Sequence, residues 1–124
     1  MRFRSGRLAI VLLLVTATAG AACSKDSAEP GDCHKISGHE VTLVARNVAW
    51  DATCLEVKHG TVAFTIDNTD SVKHNVRVTG NGVNGHTALQ NGPIVQRLSV
   101  RLAGGTYSFI CDIHANMEGK LFVK

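Results

Sequence analysis

From Glu40 onward the apolar residues of the chain recur at every second position rather than every third or fourth. Val41, Leu43 and Ala45 alternate with Glu40, Thr42, Val44 and Arg46, and Val62, Phe64 and Ile66 alternate with Thr61, Ala63, Thr65 and Asp67. Side chains of a strand point alternately to its two faces, so this period predicts strands with one face buried. The same reading places Val72, His74, Val76 and Val78 on one face of a strand over 71–79. It also sets Ile94, Leu98, Val100 and Leu102 against Arg97, Ser99 and Arg101 over 94–102. Thr106–Cys111 and Lys120–Lys124 read as two further strands. Turn-forming residues separate these runs: His59-Gly60, Asn68–Asp70, Ala103–Gly105 and Glu118-Gly119. No window of a dozen residues carries an amphipathic helix. The expected fold is therefore all-β, a Greek-key antiparallel β-sandwich of about seven to eight strands. The Gly- and Asn-rich stretch Thr79–Pro93 is expected to be a long loop. Tyr107, just after Gly105-Thr106, reads either as a tyrosine corner pinning a crossover or as a core Tyr behind a plain turn.

The first thirty residues follow a different pattern. Met1–Gly6 is short and basic, and Leu8–Val15 is an uninterrupted apolar run too short to cross a bilayer of about 30 Å as a helix. Residues 1–22 read as a signal peptide. Gly20-Ala21-Ala22-Cys23 resembles a bacterial lipobox, in which Cys23 would become an acylated N-terminus holding the protein at a membrane surface. Cleavage at Ala19-Gly20-Ala21 would instead release a soluble protein. Residues 23–32, with mixed charge, Pro30 and Gly31, read as a flexible linker, and 33–124 as the folded domain.

Charge and composition narrow the function. The formal net charge is +3, and Arg2, Arg4 and Arg7 lie in the predicted leader, so the remainder balances basic against acidic residues. That argues against nucleic acid as a partner. A length of 124 residues excludes large enzymes, and 5% aromatic residues leave a modest core of the kind that often needs a staple. Four Cys make metal and disulfide chemistry the first candidates.

Cys111, His114 and Met117 form a C-x2-H-x2-M motif between two predicted strands. A strand end followed by a tight loop can turn three such side chains toward one point. Thiolate, imidazole and thioether together are a soft donor set that favours copper, whereas zinc more often recruits a second Cys or His. A further donor has to come from elsewhere, and His74, on the apolar face of its strand, is the best candidate. A lone His in such a place is ordinarily a satisfied core residue. His34, His39, His59 and His86 read as solvated surface residues.

Cys33–Lys124 resembles the cupredoxins, the small blue-copper proteins. His74-Asn75-Val76 is similar to that family's early ligand stretch, and Tyr107-Ser108-Phe109-Ile110-Cys111 to its penultimate strand. Met117-Glu118-Gly119, followed by Lys120-Leu121-Phe122-Val123, is similar to its closing strand. The resemblance implies one type 1 copper held by His74, Cys111, His114 and Met117, with Asn75 in the surrounding shell. It implies a disulfide between Cys33 and Cys54. It further implies that the edge of His114, among Ile113 and Ala115, is the port through which electrons pass to protein redox partners. The function so expected is that of an exported, periplasmic or extracytoplasmic electron carrier, a monomer and not an enzyme. The alternative is a protein that handles Cu(I) for delivery on the same fold.

Overall fold

The structure is a computed structural model and describes residues 32–124. The predicted signal peptide, Cys23 and all but the last residue of the predicted linker lie outside the described residues. Where the sequence alternates, the chain is extended. Eleven strands occur among the described residues: β1 (His34–Lys35), β2 (Glu40–Ala45), β3 (Cys54–Val57), β4 (Gly60–Asn68), β5 (Lys73–His74), β6 (Arg77–Gly80), β7 (Val83–His86), β8 (Gln90–Asn91), β9 (Ile94–Leu102), β10 (Gly105–Cys111) and β11 (His114–Val123). The all-β expectation holds, with the strands shorter and more numerous than the seven to eight read from the pattern.

One sheet has the order β2-β4-β9 and the other β1-β3-β11-β10-β6-β7, with β5 and β8 paired as a separate ribbon. Val41 and Leu43 of β2, Phe64 and Ile66 of β4, Leu55 of β3, Val78 of β6, Tyr107 and Phe109 of β10 and Leu121 of β11 join one buried cluster drawn from both sheets. Burying such side chains stabilises by about 1.5–3 kcal/mol each, which makes this interface the main source of stability. The sandwich is mixed rather than wholly antiparallel: β1 with β3, β3 with β11 and β2 with β4 pair in parallel. Alternation within a strand reports which face is buried and carries no information about the direction of its neighbour.

Cys33 and Cys54 form the expected disulfide across a sequence separation of 21. Closing a loop of that size stabilises by about 3 kcal/mol on the loop-entropy account. The Tyr107 hydroxyl donates to the Ala103 carbonyl at 2.9 Å from an otherwise buried ring. The first of the two readings of Tyr107, a tyrosine corner, is therefore the one that applies.

Two stretches depart from expectation. The strand read over 71–79 is interrupted: β5 ends at His74, β6 starts at Arg77, Val72 is 44% exposed, and His74, Asn75 and Val76 are all buried. Three consecutive buried residues cannot belong to one alternating strand, and the break is where a metal-donor candidate sits. The loop read over 79–93 is largely ordered into β7 and β8. β6 and β7 form a two-residue hairpin in which Gly80 faces Val83 across Asn81 (φ 47°) and Gly82 (φ 79°). Asn-Gly with both φ positive is the turn whose twist matches that of the flanking strands.

Candidate metal centre

β10 and β11 are antiparallel neighbours, and Cys111 faces His114 across the two-residue turn Asp112-Ile113. The register shifts between Ile110 and Cys111: Ile110 faces Glu118, so residues 115–117 have no partner on β10. β11 thus begins at His114 rather than at Lys120, and the spacing of Cys111, His114 and Met117 is taken up by a tight turn and an irregularity, as β-bulges do when they re-aim side chains. On the other side of β10, β6 pairs Arg77 with Ile110, which brings the buried segment His74–Val76 beside Cys111.

The result is a close group of three donors. The Nδ1 atoms of His74 and His114 are 3.1 Å apart, and Cys111 Sγ lies 3.5 Å from His114 Nδ1 and 4.0 Å from His74 Nδ1. The ligand atoms of His74, Cys111 and His114 all fall within 4.8 Å of one another. His74 and Cys111 are buried and His114 is half-buried, its ring meeting that of His74 edge-on at 4.8 Å between centroids. Met117, 1% exposed, shares the apolar core cluster with Cys111. Two imidazole nitrogens and a thiol converging at these distances are a soft donor set that could hold a metal ion. Two surface cavities of about 280 and 480 Å³ include none of the three donors in their linings. The group is the size of an ion rather than of an organic cofactor.

Polar side chains brace both donor segments. Asn75, 1% exposed, accepts from the Asp112 amide at 2.9 Å and donates to Asp112 Oδ2 at 2.8 Å and to the Thr87 carbonyl at 3.2 Å. It thereby ties the residue after His74 to the residue after Cys111. Arg77 grips the same carboxylate through Nε at 2.7 Å and Nη2 at 2.8 Å. The Arg77 fork, more than any other contact, holds the Asp112 carboxyl down at about 2.

Behind His74 stands a residue that the sequence reading treated only as part of a turn. Asp70 Oδ2 lies 2.8 Å from His74 Nε2. Its oxygens also accept from the backbone amides of Asn47, at 2.8 Å to Oδ1, and Val48, at 2.9 Å to Oδ2. The Val48 amide first and the His74 ring second hold the Asp70 carboxyl below its ordinary range. The contact joins residues four apart across a turn to amides more than twenty positions away, and no local pattern encodes that. Asn116, between His114 and Met117, donates to the Val48 carbonyl at 2.6 Å, another link with no sequence signal. At the surface, Ile113 is 51% exposed, and Ala115 and Asn116 are exposed beside the half-buried His114. His39 and His59 bond backbone carbonyls instead of one another, at 2.9 Å to His59 O and 3.0 Å to Lys124 O.

A family model for the cupredoxin-like domain matches residues 8–123. Among solved structures, auracyanin A, a "blue" copper protein from Chloroflexus aurantiacus, is similar at 22% identity and a TM-score of 0.60, over 73% of this chain and 99% of that one. Reduced rusticyanin is similar at 26% identity and a TM-score of 0.59, over 80% of this chain and 89% of that one. The copper-containing nitrite reductase of Thermus scotoductus is similar at 22% identity and a TM-score of 0.55, over 68% of this chain and only 22% of the enzyme. No curated protein sequence matches the chain.

Proposed function

The chain belongs to the cupredoxin-like family, and from that premise we propose that it is an exported type 1 blue-copper protein that carries single electrons between redox partners. The observation that carries this reading is the convergence of His74 Nδ1, His114 Nδ1 and Cys111 Sγ at one largely buried point. In this reading those three residues would hold one copper ion, and Met117, buried three residues beyond His114, would add a thioether donor. Bound there, copper supplies a one-electron Cu(II)/Cu(I) couple.

The residues of the chain make that couple useful by not moving. Asn75 locks the His74 segment to the Cys111 turn, and Arg77 locks Asp112 within that turn. A donor set braced in this way changes little between oxidation states, so little reorganisation opposes electron exchange. The apolar cluster around Cys111 and Met117 excludes water from the sulfur donors. The half-buried His114, flanked by exposed Ile113 and Ala115, is the port through which a redox partner exchanges the electron.

Residues 1–22 act as the export signal, and Cys23 as a lipid attachment point that places domain 33–124 at a periplasmic or other extracytoplasmic membrane surface. In this reading the protein works as a monomer and as a carrier rather than an enzyme.

The test is a visible and electron paramagnetic resonance spectrum of the protein with one equivalent of Cu(II). The expected outcome is an intense blue thiolate-to-copper band with narrow copper hyperfine splitting, both abolished by Cys111→Ser. A colourless protein that takes up only Cu(I) would shift the reading to copper delivery, and one that binds no copper would end it.

A further inference from the structure

The sequence explains why His74 is apolar-facing but not why a carboxylate stands behind its ring. A neutral imidazole carries one N–H, and an ionised carboxylate can only accept. With Asp70 Oδ2 at 2.8 Å from Nε2, a hydrogen on Nε2 would have its acceptor, and Nδ1 would then present its lone pair toward His114 Nδ1 and Cys111 Sγ.

Asp70 is itself held in place. Both its oxygens receive backbone amides from the Asn47-Val48 turn, which is closed by reciprocal bonds between Arg46 and Ala49 at 3.0 and 3.2 Å. Asn47 has φ 53° and Val48 φ 55°. Asn tolerates that region, but a β-branched residue there is strained, and the strain persists only where the surroundings over-determine it. The strained conformation is what aims two consecutive amides at one carboxylate. The Val48 carbonyl accepts from Asn116, so the same turn also grips the segment between His114 and Met117.

We infer that Asp70 is a positioning residue for the metal centre. Fixed by the Asn47-Val48 turn, it holds His74 in the tautomer and orientation that offer Nδ1 to the metal, and its negative charge behind the ring favours the oxidised ion over the reduced one. The inference rests on the copper reading and adds to it a residue that touches no metal. Carboxylates hydrogen-bonded to ligating imidazoles raise ligand basicity in this way, and losing such a partner typically costs 10–100-fold in metal affinity.

The experiment compares the wild-type protein with Asp70→Asn, which keeps an acceptor but loses the charge, and with Asp70→Ala, which loses both. The reduction potential of the copper-loaded proteins is measured by voltammetry, and the ring nitrogens of His74 are observed by ¹⁵N NMR in the metal-free proteins. The expected results are a hydrogen on Nε2 of His74 in the wild type, retained in Asp70→Asn and no longer protected from exchange in Asp70→Ala. A potential shifted to more positive values in Asp70→Asn with the blue band kept, and Cu(II) affinity 10–100-fold lower in Asp70→Ala, complete the expectation. A blue wild type whose potential is the same in both variants, or whose His74 carries its hydrogen on Nδ1, overturns the role of Asp70 and leaves the copper reading standing. A wild type without a thiolate-to-copper band removes both.

Discussion

At the scale of single residues, the charged pair next to Cys111 governs how the site region meets acid. The Asp112 carboxyl titrates at about 2 in the folded protein against an ordinary 3.8, chiefly because Arg77 binds its charged form. The folded state therefore takes up that proton less readily than the unfolded chain. Stability from the pair is fully present above 3.8 and is lost as pH falls through about 2. Both side chains meet solvent, which screens the pair and keeps its contribution small. Urea denaturation across this range should show a steeper acid loss in the wild type than in Asp112→Asn; parallel curves would mean that the pair is solvated and inert. Ligand candidates were legible in the sequence because their chemistry is carried by residue type and short spacing: Cys111, His114 and Met117 announce themselves, and His74 is the odd residue on an apolar face. Their braces were not. Asp70, Arg77 and Asp112 are ordinary polar residues until the fold brings Val48, His74 and Asn75 to them.

At the scale of elements, strand faces were readable wherever alternation was unbroken, as in β2, β4 and β9, and unreadable where the strand itself is broken, as at His74–Val76. The β6–β7 hairpin carried its own signal in Asn81-Gly82, which a general count of Gly and Asn had turned into a loop. Gly119 shows how an element can depend on what a residue lacks. It faces Phe109 across the β10–β11 ladder, and a Cβ placed on it would fall within the fully buried Phe109 ring. The ring lies over the glycine and fills the place of the missing side chain, leaving no slack in a packed interior. Gly119→Ala should destabilise the protein by about 1–3 kcal/mol in urea denaturation, and adding Phe109→Leu should recover part of that loss. A loss below about 0.5 kcal/mol would show that the ring moves aside freely.

At the scale of the whole molecule, the parallel pairings and the meeting of β5, β10 and β11 at one end come from how strands are ordered, which no local pattern encodes. On the proposed function, that end is where a redox partner would dock. Ile113 stands exposed at the tip of the turn that joins Cys111 to His114, Ala115 and Asn116 carry no charge, and the Asp112 charge is matched by Arg77. An uncharged rim around a histidine edge suits brief contacts of the smallest interface class, below about 1,200 Å². Electron self-exchange between oxidised and reduced copies probes this surface without a known partner, because contact through that rim sets the two turns face to face. Ile113→Asp would then oppose two carboxylates with little water between them. Self-exchange should slow about tenfold, corresponding to about 1.4 kcal/mol, and regain speed with added salt. The blue spectrum should not change, since Ile113 is exposed and not one of the donors, and reduction by a small inorganic complex that needs no docking should change little. If self-exchange keeps its wild-type rate while the spectrum is intact, electrons leave through another face, and the exposed Ile113 is a cap on the turn rather than a landing surface.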